Sequence, residues 1–203
     1  MTQPPIVHVV DDDDAMRDSL CWLIESIGLK AKGYATADAF AVAYRGGHPG
    51  CLLLDIRMPG LSGLDLQEVL NRQGARIPLI FLTGHGDIPM AARAFKAGAF
   101  DFLEKPCNDQ LLLDRVREAI AEHRRRLAEK AALRDILARS ARLTKRERQV
   151  AEFISLGLPN REIASQLGIS QKTVEIHRHN ALIKMQAENS AELASLWTLV
   201  REA

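Results

Sequence analysis

The stretch Ile6-Val7-His8-Val9-Val10-Asp11-Asp12-Asp13-Asp14 decides the fold: a run of strand length and composition ends in four consecutive carboxylates. The arrangement recurs three times along the chain. Cys51–Leu54 ends in Asp55, Leu79–Leu82 ends in Thr83, and Phe100–Leu103 leads into Lys105 and Pro106. Each run is apolar and short enough for a buried strand. In a parallel sheet the four C-terminal ends meet at one edge, where α/β folds place their ligand sites. Carboxylates, a hydroxyl and an ammonium gathered there suit a divalent cation and a phosphoryl group. Taken singly, each has a plainer use: a strand-end Asp is commonly a turn residue, Thr83 a cap and Lys105 a surface cation. Asp13 and Asp14 are assigned that plainer use, Asp14 as the N-cap of the next helix. Matched chemistry on four strand ends at once is what favours a site.

Helical patterns fill the gaps between these runs. Met16, Leu20, Leu23, Ile24 and Ile27 form one apolar stripe that stops at Gly28. A strand at Lys30–Tyr34 precedes a helix at Ala37–Tyr44. Ser62-Gly63-Leu64-Asp65 has the pattern of a capping box for a helix running to about Gln73. Asp87 and Pro89 suit the start of a helix that Gly98 stops, and a fifth helix begins near Asp109. Residues 1–122 therefore predict an α/β domain: a doubly wound, five-stranded parallel sheet, flavodoxin-like, with helices on both faces. Residues 123–140 contain no Gly or Pro and are rich in Ala, Arg and Glu. They predict a helical linker. Val116, Ile120, Leu127 and Leu137 could form a short coiled-coil seam, but a solvated helix fits equally, because His123 and Lys130 break the heptad. Residues 141–203 predict an all-α, four-helix domain, with starts at Thr144, Pro159, Ser170 and Ser190 and stops near Gly157, Gly168, Met185 and Val200.

The overall charge of +1 hides an asymmetry. Residues 1–122 carry 12 Lys/Arg against 17 Asp/Glu, a net of −5, and residues 123–203 carry 15 against 9, a net of +6. A basic half is a candidate for nucleic acid, although a solvated basic surface explains the charge as well. Cys21, Cys51 and Cys107 are odd in number and lie in no CxxC pattern, so reduced thiols are expected, with Cys21 and Cys51 buried. No signal peptide or membrane-spanning run is evident, which points to a cytoplasmic protein with no membrane partner.

VHVVDDDD, LLLDIRMPGLSGLDL and IFLTGHGDIPMAARAFKAGAFDFLEKP, with their spacing, closely resemble the receiver domain of two-component response regulators of the FixJ/NarL type. The resemblance implies Asp55 as phosphoacceptor, with Mg2+ or Mn2+ held by Asp11, Asp12, Asp55 and the backbone carbonyl of Arg57. It also implies Thr83 and Phe102 as a switch pair and Lys105 as the phosphate-binding lysine. Cys107 departs from the aromatic or aliphatic residue that often follows Lys-Pro. The segment LTKRERQVAEFISLGLPNREIASQLGISQKTVEIHRHNALIKM resembles the LuxR-type helix-turn-helix. From the residues alone, Leu167, Ile169 and Val174 would join the two helices, and the second would display Lys172, Thr173, Glu175, Ile176, Arg178 and His179. By family position Glu175, Ile176 and His179 face base edges, while Lys172, Thr173 and Arg178 contact backbone or nearby bases. The last helix resembles the family's dimerisation helix.

The implied function is a phosphorylation-activated transcriptional regulator, not an enzyme beyond its own aspartyl phosphorylation and dephosphorylation. Its implied partners are a sensor histidine kinase, double-stranded promoter DNA, RNA polymerase and a second copy of itself on phosphorylation. No GxxxxGK[ST] loop is present, so no ATPase module is expected. A haloacid-dehalogenase-like phosphatase is the alternative. It is disfavoured because Asp55 lies on the wrong strand for that order and Ala15 stands where Thr or Val belongs. A constitutive DNA-binding protein with a degenerate receiver is disfavoured because every site residue is present.

Overall fold

In the computed structural model, which describes residues 4–84 and 88–203, the chain forms two compact units, 1–127 and 128–203. The helix start expected at Asp87 lies outside the described residues. The first unit alternates β1 (Ile6–Val10), α1 (Asp14–Ser26), β2 (Lys30–Tyr34), α2 (Ala37–Ala43), β3 (Gly50–Asp55), α3 (Gly63–Arg72), β4 (Leu79–Thr83), α4 (Ile88–Lys96), β5 (Asp101–Glu104) and the start of α5 (Asp109–Ser140). All neighbouring strands are parallel, in the order β2-β1-β3-β4-β5.

The central strand β3 is buried along its whole length, as an unbroken apolar run in a parallel sheet should be. Its side chains alternate between two cores. Leu52 and Leu54 join Val10 and Phe81 under α2, α3 and α4, which contribute Phe40, Leu66 and Ala94. Cys51 and Leu53 join Val7, Val9, Ile80 and Leu82 under α1 and α5, which contribute Ile24 and Val116. Gly50 admits no side chain, since a Cβ there would overlap the main-chain oxygen of Ile6. The same residue is tied to α5: its N–H donates to His123 Nδ1 at 3.1 Å, and the ring nitrogen lies 2.9 Å from its carbonyl oxygen.

Helix α5 continues into the second unit without a break. Residues 123–140 are thus not a solvated linker throughout, because His123 is buried in the first unit and Ile136 and Ser140 are buried in the second. Nor do they form the suggested seam, since Val116 and Ile120 lie in the sheet-packing core and Leu137 is exposed. Four helices follow: α6 (Lys145–Ser155), α7 (Asn160–Leu167), α8 (Gln171–Met185) and α9 (Ser190–Glu202). They enclose two small cores, one around Ile136, Leu143, Met185 and Trp197, the other around Val150, Ile163, Ala164 and Val174.

One capping assignment changes: Asp13, not Asp14, caps α1, accepting from the N–H groups of Ala15 and Met16. Helix α9 begins at Ser190 as expected and is capped by Asn189. Cys51 is buried as expected, but Cys21 is only half-buried. Trp22 on α1 is 72% exposed, whereas Trp197 on α9 is 8% exposed and donates its Nε1–H to Glu152 at 2.6 Å. Among the described residues no helix is long and apolar enough to cross a membrane.

Candidate functional site

The C-terminal edge of the sheet gathers the expected groups. Asp11 lies one residue beyond β1, Asp55 ends β3, Thr83 ends β4, and Lys105 follows β5. Asp11, Asp55 and Thr83 are all buried. The Lys105 Nζ donates to Asp55 Oδ1 at 2.6 Å and to Asp11 Oδ2 at 2.7 Å, so one ammonium bridges two carboxylates. The second oxygen of each acid is also held: Asp55 Oδ2 accepts from the Arg57 N–H at 2.7 Å, and Asp11 Oδ1 accepts from the Asp13 N–H at 3.0 Å. The Lys105 N–H donates to the Thr83 carbonyl at 2.7 Å and fixes the start of the lysine against β4.

Burial pushes the Asp55 carboxyl above its ordinary pKa, against the pull of the Lys105 hydrogen bond. Burial also works to lower the Lys105 pKa, but its hydrogen bonds to the Asp11 and Asp55 carboxylates outweigh it and raise the pKa, holding the ammonium protonated. Two acids sharing one cation leave a negative edge that a further cation would relieve. The donors fit magnesium, being hard oxygens: the carboxylates of Asp11 and Asp55, the exposed carboxylate of Asp12 and the carbonyl of Arg57. Among the described residues no three acidic, His or Cys side chains converge as a ready-made cage. Magnesium does not require one, since it keeps several waters and takes one or two carboxylates.

Phe102 lies within β5, two residues before its end. It pairs with Phe81 across the β4–β5 ladder, ring centroids 6.2 Å apart, and remains half-buried. Phe81 and Thr83 are two residues apart on β4 and so share a face of the sheet. Phe102 therefore lies diagonally across the β4–β5 ladder from Thr83, the other member of the expected switch pair, with Phe81 beside both.

Two residues of this edge escaped the sequence reading. Gly63 opens α3 so close to β3 that a Cβ would overlap the Asp55 main-chain oxygen, and its N–H donates to Ile56 at 3.0 Å. Arg17 donates from Nη1 to the main-chain oxygen of Asp11 at 2.9 Å. Both act on backbone atoms, which leave no mark in a residue pattern. The Gly in Ser62-Gly63-Leu64-Asp65 was the one available signal.

In the second unit, α7 and α8 meet through a turn at Gly168, which takes the left-handed conformation at φ 65°. Leu167 and Ile169 pack on the Val174 cluster, as expected for a helix-turn-helix. Lys172, Glu175, Ile176 and His179 are exposed and spaced i, i+3, i+4, i+7, hence on one face of α8. Thr173 and Arg178 flank that face and are half-buried. Thr173 Oγ1 lies 2.8 Å from Ser170 Oγ, and Arg178 Nη1 donates to Asn160 at 3.4 Å.

Comparison with known proteins covers both units. Residues 7–117 match the family described as response regulator receiver domain, and residues 141–197 match bacterial regulatory proteins of the luxR family. The transcriptional regulatory protein FixJ of Azorhizobium caulinodans is 45% identical over 94% of this chain and 90% of its own. The C4-dicarboxylate transport transcriptional regulatory protein DctR of Rhodobacter capsulatus is 45% identical over 94% of this chain and 98% of its own. Among solved structures, the response regulator StyR superposes with a TM-score of 0.87 at 40% identity, covering 99% of this chain and all of that one. Full-length FixJ from B. japonicum gives 0.59 at 41% identity, covering the whole of both chains.

Proposed function

Because the chain belongs to the two-component response regulators that join a receiver to a LuxR-type DNA-binding domain, as the transcriptional regulator FixJ does, we propose that Asp55 is its phosphoacceptor and that phosphorylation there controls DNA binding by α8. The observation that carries this is the Lys105 ammonium, held 2.6 Å from Asp55 and 2.7 Å from Asp11 at the edge where Thr83 also ends its strand.

An Asp55 oxygen forms a bond to the phosphorus of a phosphohistidine on a sensor kinase. The P–N bond breaks and its electron pair stays with the imidazole, which takes up a proton. A bound Mg2+ or Mn2+, held by Asp11, Asp12, Asp55 and the Arg57 carbonyl, supplies neutralisation of the phosphoryl oxygens. Lys105 turns from Asp55 to a phosphoryl oxygen, and Thr83 donates its hydroxyl to another. The phosphoryl group brings about −1.5 to −2 charge into this edge. As Thr83 moves, Phe102 repacks inward and changes the face made by α4 and β5, where Phe95 is 49% exposed. Two copies then pair through that face.

Exposed Glu175 accepts from cytosine N4 and Ile176 contacts thymine methyl groups. His179 reaches a base edge, and Lys172 and Arg178 contact phosphates. The paired regulators sit on promoter DNA and contact RNA polymerase in the cytoplasm. Catalysis is limited to the chain's own aspartyl phosphorylation and dephosphorylation.

Two measurements test the two halves. Asp55→Asn is expected to take up no label from acetyl phosphate with magnesium, and undiminished labelling would refute the acceptor. In titrations on an operator and on scrambled DNA, Glu175→Ala should relax preference at one position per half-site. Arg178→Ala should weaken both DNAs alike and lower the salt slope by about one. Equal affinity of the parent for both DNAs at every salt would refute sequence reading by α8.

A further inference from the structure

Arg17 lies beneath the acidic edge, and its side chain is only 14% exposed. Its Nη1 reaches the Asp11 main-chain oxygen at 2.9 Å, and its Nη2 pairs with the Asp14 carboxylate. Its methylenes run against β2 at Gly33, where a Cβ would approach Cγ and Cδ to 3.1 Å. Asp11 stands just beyond the ladder, whose registers end with Val10 opposite Tyr34 and Leu54. Its N–H still finds the Tyr34 carbonyl at 3.2 Å, and its carbonyl receives the Arg17 bond. That carbonyl belongs to the peptide plane joining Asp11 to Asp12. Rotation of the plane would swing the Asp12 carboxylate away from the edge or toward it.

We propose that Arg17 is a positioning residue for the cation site: its guanidinium fork fixes the Asp11–Asp12 peptide so that both carboxylates face one divalent ion. This rests on Asp11 and Asp12 being cation ligands. The charge of Arg17 opposes that role, since a guanidinium repels a divalent cation. Asp14, whose side chain is 82% exposed, pairs with it from the solvent side, where screening leaves the charge of Arg17 largely uncompensated. Geometry and charge therefore push cation affinity in opposite directions, and substitution separates them.

The experiment is Mn2+ binding to the full-length protein, followed by water-proton relaxation and repeated with Mg2+ by calorimetry. Arg17→Lys keeps the charge and loses the fork, and Arg17→Gln loses the charge. Both are expected to bind about 10-fold more weakly, the usual scale for residues that orient metal ligands. Gly33→Ala displaces the Arg17 stem from the other side and should weaken binding in the same direction. Asp14→Asn keeps the Asp11 bond and should stay within about twofold, because an exposed ion pair contributes little. Unchanged affinity in both Arg17 variants, or tighter binding by Arg17→Gln, overturns the positioning role. So does a fall in EDTA melting temperature shared by Arg17→Lys and Asp14→Asn, with Mn2+ affinity unmoved. A parent protein that binds no Mn2+ overturns the cation site itself, and the role of Arg17 with it.

Discussion

Gly63 bears no functional group, yet it sets how closely α3 approaches the strand that carries Asp55. A methyl group there has nowhere to go but into the Asp55 carbonyl, which is backbone and cannot turn aside. Gly63→Ala should destabilise the first unit by about 1–3 kcal/mol, the usual cost of overpacking, and should also depress phosphorylation of an intact Asp55. Urea unfolding and acetyl phosphate labelling of the same sample check both, and parent-like values would show that α3 shifts freely. At this scale the legible residues were those announced by an apolar run: Asp11, Asp55, Thr83 and Lys105. Arg17 and Gly63 were not legible, because they act on carbonyl oxygens that every residue has. Asp13 and Asp14 were interchangeable on paper, since either carboxylate can cap, and only the local turn selects Asp13.

Helix α6 shows how an element is held from both ends of one side chain. Glu147 completes the capping box with Thr144 and places both its oxygens 2.7–2.8 Å from the Lys184 ammonium on α8. Burial would raise its pKa, but Lys184 and the Thr144 N–H outweigh burial and hold it below the ordinary 4.5. A carboxyl depressed by folding contributes stability that is present above its ordinary value and is lost as pH falls through its folded value. Glu147→Gln keeps the reciprocal cap but removes the buried carboxylate opposite Lys184, and should therefore cost the second unit about 1–2 kcal/mol at pH 7, on the scale of a hydrogen bond to a charged group. The difference from the parent should shrink as the pH drops well below 4.5. Chemical denaturation at pH 7 and pH 3 measures it, and a gap that does not narrow would assign the effect to packing. The capping box was readable because Thr and Glu stand three apart. The tie to Lys184 was not, since 37 residues separate the partners. Strand β5 begins at Asp101, one residue later than the Phe100 expected from apolarity, as the ladder to β4 starts at Ile80 opposite Asp101.

Across the whole molecule, the boundary drawn from composition and the boundary set by packing differ. A break at 140 follows the end of the Ala- and Arg-rich stretch, but Ile136 is buried with Met185 and Trp197, and Arg139 donates to the Met185 carbonyl at 2.8 Å. The fragment 128–203 should accordingly be more stable than 141–203 by at least about 2 kcal/mol, the lower range for losing a buried aliphatic side chain. Parallel urea titrations decide it, and equal midpoints would mean that the second core closes without the end of α5. Two domains and their order were legible because the period of the apolar pattern changes. The sharing of α5 was not, because a charged helix with few apolar positions reads the same whether or not it is docked. The placement of the two indoles has an optical consequence. Trp22 already meets water in the native state, so opening the first unit changes its emission little. Trp197 is shielded and bonded to Glu152, so opening the second unit shifts its emission to the red. A fluorescence melt of the unlabelled chain therefore follows the DNA-binding unit alone, while far-ultraviolet dichroism records both, and the difference between the two curves belongs to the receiver.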